Sequence, residues 1–168
     1  SLLDMMAFGL DYKERLILFH QALEAVLEVA PCLAIYWVES RQIINPADYL
    51  AARQSSDFHP LQFALNVRLQ EIAGGRRRGK IMDTLGLNIC HLPDLQCHFL
   101  DLDPDEIGWR LYHYAFYLYE NGDILQDGDT IDGIEPGSKW KCHRQISLVK
   151  PERLVIDINP GASYAAGD

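Results

Sequence analysis

The sequence has no long apolar run. Its longest apolar stretch, residues 30–38, is far shorter than the roughly 18 residues that a membrane-spanning helix needs. It also lacks the pattern of a secretory signal, which is a basic segment, an apolar run and a small-residue cleavage site. These absences argue against membrane insertion and against secretion. We therefore expect a cytoplasmic protein.

Cysteine is also scarce, with four residues in 168. Small secreted domains that depend on disulfides are much richer in cysteine. Because a secretory context is absent as well, we interpret all four cysteines as reduced thiols.

Familiar catalytic motifs are missing. The sequence contains neither a Gly-x-Ser-x-Gly nucleophile elbow nor a His-Glu-x-x-His helix. The glycines near Lys80 do not have P-loop spacing, and no serine or threonine follows the lysine. The sequence thus predicts neither nucleophilic catalysis nor a nucleotide cofactor, and we expect no cofactor of any kind.

The composition is that of a globular protein. Hydrophobic residues make up 48% of the chain and charged residues 23%, which is enough apolar material for one buried core. We predict a single domain over residues 11–160. Residues 1–10 are expected to form a disordered or boundary segment, and residues 161–168, which are small and polar, a flexible tail.

The net charge of −9 is unevenly distributed. Residues 1–80 are balanced, with nine acidic and nine basic side chains. Residues 81–135 carry twelve acidic side chains against the single Arg110, a net of −11. Such a field repels nucleic acid and attracts cationic partners, although an acidic surface also serves solubility.

The first half of the chain shows both helical and strand patterns. Asp11 begins an amphipathic helix that ends before Pro31, and a short apolar strand is predicted at residues 32–38. Asn45-Pro46 predicts the start of a short helix. Alternating apolar and polar residues predict a strand at 61–72, followed by a hairpin partner at 80–87 and a third strand at 95–100.

A second long helix is predicted at residues 103–120, because Asp103-Pro104 is a strong helix start. Two apolar stripes on this helix imply packing on more than one side, and Trp109 and Phe116 are expected on one buried face. Short strands are expected at 124–126, 130–134, 140–149 and 154–158. Together these elements predict an α+β fold, with an antiparallel-rich sheet packed with two long helices in a two-layer sandwich.

Three Cys-His dipeptides are candidate metal ligands: Cys90-His91, Cys97-His98 and Cys142-His143. Thiolate and imidazole both bind zinc, but structural zinc sites usually place two to four residues between ligands, whereas six separate Cys90 from Cys97. In a strand, adjacent residues also point to opposite faces. Buried cysteines beside half-exposed histidines are the alternative that the spacing favours.

Two charged turns are further candidates. Asp127, Asp129 and Asp132 lie close together but miss the calcium-loop pattern, so they are interpreted as a polar turn and as candidate partner-binding residues. Arg76, Arg77, Arg78 and Lys80 form a basic turn that could contact an anion such as RNA. No aromatic residue interleaves with these arginines, which weakens the nucleic-acid interpretation.

Several segments occur in an order seen in a known family. They are the helix ending at Ala30, then residues 33–37 (LAIYW), 44–50 (INPADYL), 63–69, 84–87 (TLGL), 92–95 (LPDL) and 127–130 (DGDT). In this order they resemble an uncharacterised bacterial family, domain of unknown function 4261, over most of residues 11–135. The resemblance implies an α+β domain, often with a further N-terminal segment, and no assigned activity. It carries over no functional residue.

Three functions are compatible with these patterns. The leading hypothesis is a non-enzymatic bacterial interaction module, an immunity-like or secretion-associated adaptor, whose acidic middle faces a basic protein partner. The first alternative is a small-molecule or metal-dependent enzyme that uses the Cys-His pairs and the aspartate-rich turn. The second is a weak nucleic-acid binder acting through Arg76 to Lys80.

Overall fold

The computed structural model describes residues 1–3, 9–71 and 79–166. The α-helices of these ranges are α1 (Tyr12–Val29), α2 (Pro46–Arg53), α3 (Leu61–Ala64) and α4 (Pro104–Asn121). The strands are β1 (Ile35–Trp37), β2 (Gln42–Ile44), β3 (Asn66–Glu71), β4 (Lys80–Leu85), β5 (Asp94–Phe99), β6 (Thr130–Asp132), β7 (Lys139–Ile146) and β8 (Leu154–Asn159). A 3₁₀ turn spans Leu87–Cys90.

The larger sheet has six strands in the order β3-β4-β5-β8-β7-β6, and β1 and β2 form a small antiparallel pair. Within the larger sheet β5 and β8 are parallel, whereas the other pairings are antiparallel. The predicted α+β class is therefore confirmed, with a mixed sheet. The two-layer sandwich stays a prediction.

The predicted helix starts are confirmed, because three side chains cap the first turns. Asp11 accepts a hydrogen bond from the backbone N–H of Lys13 at the start of α1. Asn45 and Asp103 cap α2 and α4 in the same way, and each is followed by proline. These caps satisfy backbone donors that have no partner within a helix.

Helix α4 contacts β3, β4 and β5. Its buried side chains are Ile107, Leu111, Ala115, Leu118 and Tyr119. Gly108 lies so close to the sheet that a Cβ atom there would be 3.1 Å from the sulfur of Met82. The absence of a side chain at Gly108 thus lets the helix approach β4.

Three predicted strands differ most from the structure. Residues 61–64 form α3 rather than the start of a strand, because Pro60 precedes them and Leu61 and Ala64 turn into the core as one helical face. The strand expected at 32–38 is limited to Ile35–Trp37. The strand expected at 124–126 is wrong, since these residues form no ladder.

The end of the described chain is bonded to the sheet. Ala165 forms an isolated antiparallel bridge with Phe99 of β5, and the N–H of Leu100 donates to the carbonyl of Tyr164 at 2.7 Å.

None of the helices in the described ranges combines the length and the apolar character needed to cross a bilayer.

Candidate functional site

A buried ionic network lies on the sheet. Asp83 of β4 is fully buried, and Asp94 at the start of β5 is almost so. Arg153 donates from Nη2 to Asp83 Oδ2 at 2.5 Å and from Nε to Asp94 Oδ2 at 2.9 Å. Arg68 of β3 binds Asp83 from the other side, with its Nε 3.2 Å from Oδ1. Each buried carboxylate therefore has a guanidinium partner, as burial of a charge requires.

Both carboxylate oxygens of Asp94 accept hydrogen bonds. Its Oδ1 also accepts from Thr84 Oγ1 at 3.0 Å and from the N–H of Leu87 at 3.2 Å. Burial raises the pKa of Asp94, and the adjacent Arg153 opposes that rise. With both oxygens occupied by protein donors, this carboxylate is arranged to hold β4, β5 and the 3₁₀ turn together.

The network belongs to a polar row that crosses the sheet. Arg68, Asp83, Gln96, Asp157 and His143 are successive cross-strand neighbours on β3, β4, β5, β8 and β7. Gln96 Nε2 donates to Asp157 Oδ1 at 2.8 Å. Neighbours paired in this way share one face, and it is the face opposite Met82, which contacts α4.

The loop between β7 and β8, residues 147–153, lies over this polar row. The N–H of Leu148 donates to Gln96 Oε1 at 2.8 Å, and Arg68 Nη2 donates to the carbonyl of Lys150 at 3.1 Å. The loop supplies Arg153 as well. The polar row therefore fixes the loop on the sheet.

A pocket of about 290 Å³ adjoins the ionic network. It is lined by Asn88, His91, Leu92, Pro93, Asp94, Asp123, Arg153 and Leu154. The guanidinium of Arg153 is already bonded to Asp83, Asp94 and the carbonyls of Thr84 and Pro151. Arg153 therefore has few N–H groups left to donate to a ligand in this pocket.

The predicted separation of cysteine from histidine within a strand is confirmed. Cys97 and Cys142 are fully buried, whereas His98 and His143, the next residues of β5 and β7, are only partly buried. Cys90 is buried in the 3₁₀ turn, and His91 after it is exposed. Within the described ranges, no group of three or more His, Cys, Asp or Glu side chains is placed to hold a metal ion.

The buried thiols are poor nucleophiles. Burial raises the pKa of Cys90 to about 12 and that of Cys142 to about 11, and it also raises the pKa of Cys97. Because the thiolate is the reactive form, these three cysteines are protonated at neutral pH. All four cysteines are free, and Cys32 is the exposed one.

The aspartate-rich turn lies at the edge of the larger sheet, beside β6. Asp127 accepts a hydrogen bond from the N–H of Arg144 at 2.9 Å, and Asp129 accepts one from the N–H of Gln126 at 2.8 Å. Asp132 pairs with Lys139 at 2.5 Å, a contact that lowers the pKa of Asp132. All three carboxylates are exposed; Asp127 and Asp129 shape the turn, whereas Asp132 is the last residue of β6.

Of the basic turn, only Lys80 is among the described residues. It is the first residue of β4, is partly buried, and pairs with Glu71 of β3. Arg76, Arg77 and Arg78 lie outside the described residues, so anion binding by this turn stays a prediction.

The expectation that Trp109 is buried is wrong. Its side chain is 64% exposed, while Phe116 packs against the core as a partly buried residue. The sequence shows two apolar stripes on α4 but does not indicate which of them faces the sheet. In the structure the stripe that contains Leu111 faces it.

The residues of the ionic network were missed by the sequence interpretation. The position of Asp83 could have indicated a buried carboxylate, since it is the single charged residue in the run 81–85. No local pattern indicates the role of Arg153, because its partners Asp83 and Asp94 are 70 and 59 residues away along the chain.

The fold and these surfaces define an α+β domain with a six-stranded mixed sheet, a buried ionic network and exposed carboxylates at one sheet edge. Residues 83–159 match the model of a family described as Domain of unknown function (DUF4261). The resemblance is thus confirmed over this range, which contains the segments 84–87, 92–95 and 127–130, whereas the other segments precede it. No curated protein and no solved structure matches the chain.

Proposed function

We propose that this chain is a non-enzymatic interaction module, with an immunity-like or secretion-associated adaptor role, that binds a basic protein partner through an acidic surface. One observation carries the proposal. Ten of the twelve acidic side chains in residues 81–135 are exposed, and only Asp83 and Asp94 are buried. The ten are Asp101, Asp103, Asp105, Glu106, Glu120, Asp123, Asp127, Asp129, Asp132 and Glu135.

Some of these carboxylates have basic partners from other parts of the chain. Glu120 pairs with Lys13 at 2.7 Å, Asp132 with Lys139, and Asp123 with Arg144. The acidic surface is therefore weaker than the sequence count suggests. Asp127 and Asp129 remain exposed at the sheet edge, and four further carboxylates lie at residues 101–106.

The enzyme alternative has less support. A thiol nucleophile at Cys90, Cys97 or Cys142 is disfavoured by burial and by the raised pKa of each thiol. The carboxylates of Asp83 and Asp94 are bonded to arginines rather than directed at a substrate.

The test is the association rate with a captured partner. Basic proteins are first captured from native lysate at low and high salt, and rates are then measured for the triple variant Asp127→Asn, Asp129→Asn, Asp132→Asn. Rim charges act mainly on association rate, through an attraction that salt screens over about 8 to 10 Å. We expect the triple variant to bind several-fold more slowly and to be less sensitive to salt than the wild type.

The matched control changes charge by the same amount elsewhere. Glu28, Asp48 and Asp57 are exposed carboxylates outside residues 81–135, so Glu28→Gln, Asp48→Asn, Asp57→Asn removes three negative charges. We expect this control to slow association less. Equal slowing by both triple variants, or a rate that ignores salt and substitution alike, would contradict docking at the acidic turn.

A further inference from the structure

The outward face of α4 carries an exposed aromatic ridge. Trp109, His113 and Tyr117 are spaced by four residues and so lie above one another on one side of the helix. Trp109 is 64% exposed and Tyr117 46%. Tryptophan and tyrosine are enriched among the side chains that anchor protein interfaces.

Several aromatic rings of α4 contact neighbouring rings. The centroids of Trp109 and His113 are 3.7 Å apart. Beside them Tyr112 lies 4.4 Å from Phe116, and Phe116 stacks on His59 at 3.8 Å. The contact with His113 restricts the indole of Trp109 before any partner binds, and such restriction lowers the entropic cost of binding.

Negative charge lies one helical turn from the indole. Asp105 and Glu106 precede Trp109 by four and three residues and are both exposed. Arg110 is turned to the flank, where its Nη2 lies 3.5 Å from the carbonyl of Ile134. Tyr114 bonds the carbonyl of Asp132 on the same flank, at 2.7 Å. The exposed ridge thus combines π-faces with carboxylates.

We propose that this face of α4 binds an arginine or lysine side chain of the partner, stacked over Trp109 and balanced by Asp105 and Glu106. The inference rests on the proposed function, since it locates the contact for the same basic partner. A guanidinium or ammonium over an indole is attracted by the ring quadrupole, and tryptophan is the best residue for this contact. A second copy of the chain fits less well, because a two-fold contact centred on Trp109 would bring like carboxylates together.

The experiment uses a short peptide that alternates arginine and glycine, and the same peptide with neutral citrulline in place of arginine. Binding is followed by NMR on isotope-labelled protein, through the backbone amide signals and the indole N–H signals. Trp37 and Trp140 are only 7% and 5% exposed, so the Trp109 indole is the surface reporter. We expect the arginine peptide, but not the citrulline peptide, to shift the Trp109 signal.

Variants quantify the contact. Trp109→Ala is expected to weaken binding of the arginine peptide about two- to fivefold, as loss of an exposed cation–π contact does, and Trp109→Phe to weaken it less. Tyr36→Ala is the control, because Tyr36 is also an exposed aromatic residue but lies on β1.

The outcomes separate this inference from the proposed function. If the arginine peptide shifts only residues 127–132 and Trp109→Ala binds it normally, the α4 face is not the contact, while docking at the acidic turn stands. If the arginine and citrulline peptides shift the Trp109 signal equally, charge recognition at this face is wrong. If the arginine peptide shifts no signal, cation recognition at the α4 face is wrong, whereas the proposed function is decided by the association rates of the captured partner.

Discussion

His20 is a buried residue whose environment dictates its charge. It is fully buried, and its Nε2 donates to the carbonyl of Pro60 at 2.8 Å, while its Nδ1 accepts from the hydroxyl of Tyr49 at 2.8 Å. The tautomer follows from the Pro60 carbonyl, which can only accept. Trp37 and Phe58 pack around the ring. His20 thus links α1 to α2 and to the residue before α3 as a neutral imidazole.

This burial makes stability depend on pH. Burial lowers the pKa of His20 to about 4 from an ordinary value of 6.5. Below pH 6.5 the unfolded chain takes up a proton that the folded chain excludes, so stability falls as the pH drops towards 4. The full effect is about 3 kcal/mol. We expect urea unfolding of His20→Gln to show a shallower loss over this window than the wild type, and equal slopes would contradict this account.

Helix α4 shows how one element serves two purposes. Its inner face packs on three strands, where Gly108 permits close approach, while its outer face leaves Trp109 in solvent. Both faces carry large aliphatic or aromatic side chains, so binary patterning alone does not distinguish them.

The two faces should respond differently to truncation. Leu111→Ala removes a buried side chain and is expected to cost about 2 to 5 kcal/mol of unfolding free energy. Trp109→Ala, although the larger deletion, should stay within about 0.5 kcal/mol of the wild type because the indole is exposed. Chemical denaturation of the two variants measures both values. A large loss for Trp109→Ala would mean that the indole supports the fold.

At the scale of the whole molecule, the acidic residues of the segment 81–135 divide into a buried group and an exposed group. The carboxylates of Asp83 and Asp94 are buried and bonded to arginines, whereas the remaining acidic residues of the middle segment face solvent. Arg153 is central, because it joins β4 and β5 to the loop before β8. The network ties together parts of the chain that no local propensity would connect.

Removal of Arg153 should therefore destabilise the whole domain. Arg153→Leu leaves Asp94 buried without its guanidinium, and loss of one partner from a buried ion pair costs about 3 to 5 kcal/mol. Lys150→Leu is the control in the same loop, since Lys150 is exposed and its pairing with Glu152 is at the surface; it should change stability by less than about 0.5 kcal/mol. Similar thermal unfolding of the two variants would show that the network contributes little.

Local features could be predicted from the sequence, and long-range ones could not. The caps at Asp11 and Asp103 depend on residues that are adjacent in the chain, and the opposite orientation of Cys97 and His98 follows from strand geometry. The helix at Leu61 was missed because burial of two side chains overrode an alternating pattern. The partners of Arg153 depend on strand order, which no local pattern encodes.

The position of β8 has a consequence for synthesis on the ribosome. It follows the other described strands in the chain, yet it lies between β5 and β7. Until residues 154–159 emerge, the sheet consists of two separate pieces, β3-β4-β5 and β7-β6, each with an edge that β8 later covers. Exposed strand edges can pair with other chains. Completion of the sheet thus depends on the segment translated after all its neighbours, so the nascent domain stays open until that segment has left the exit tunnel.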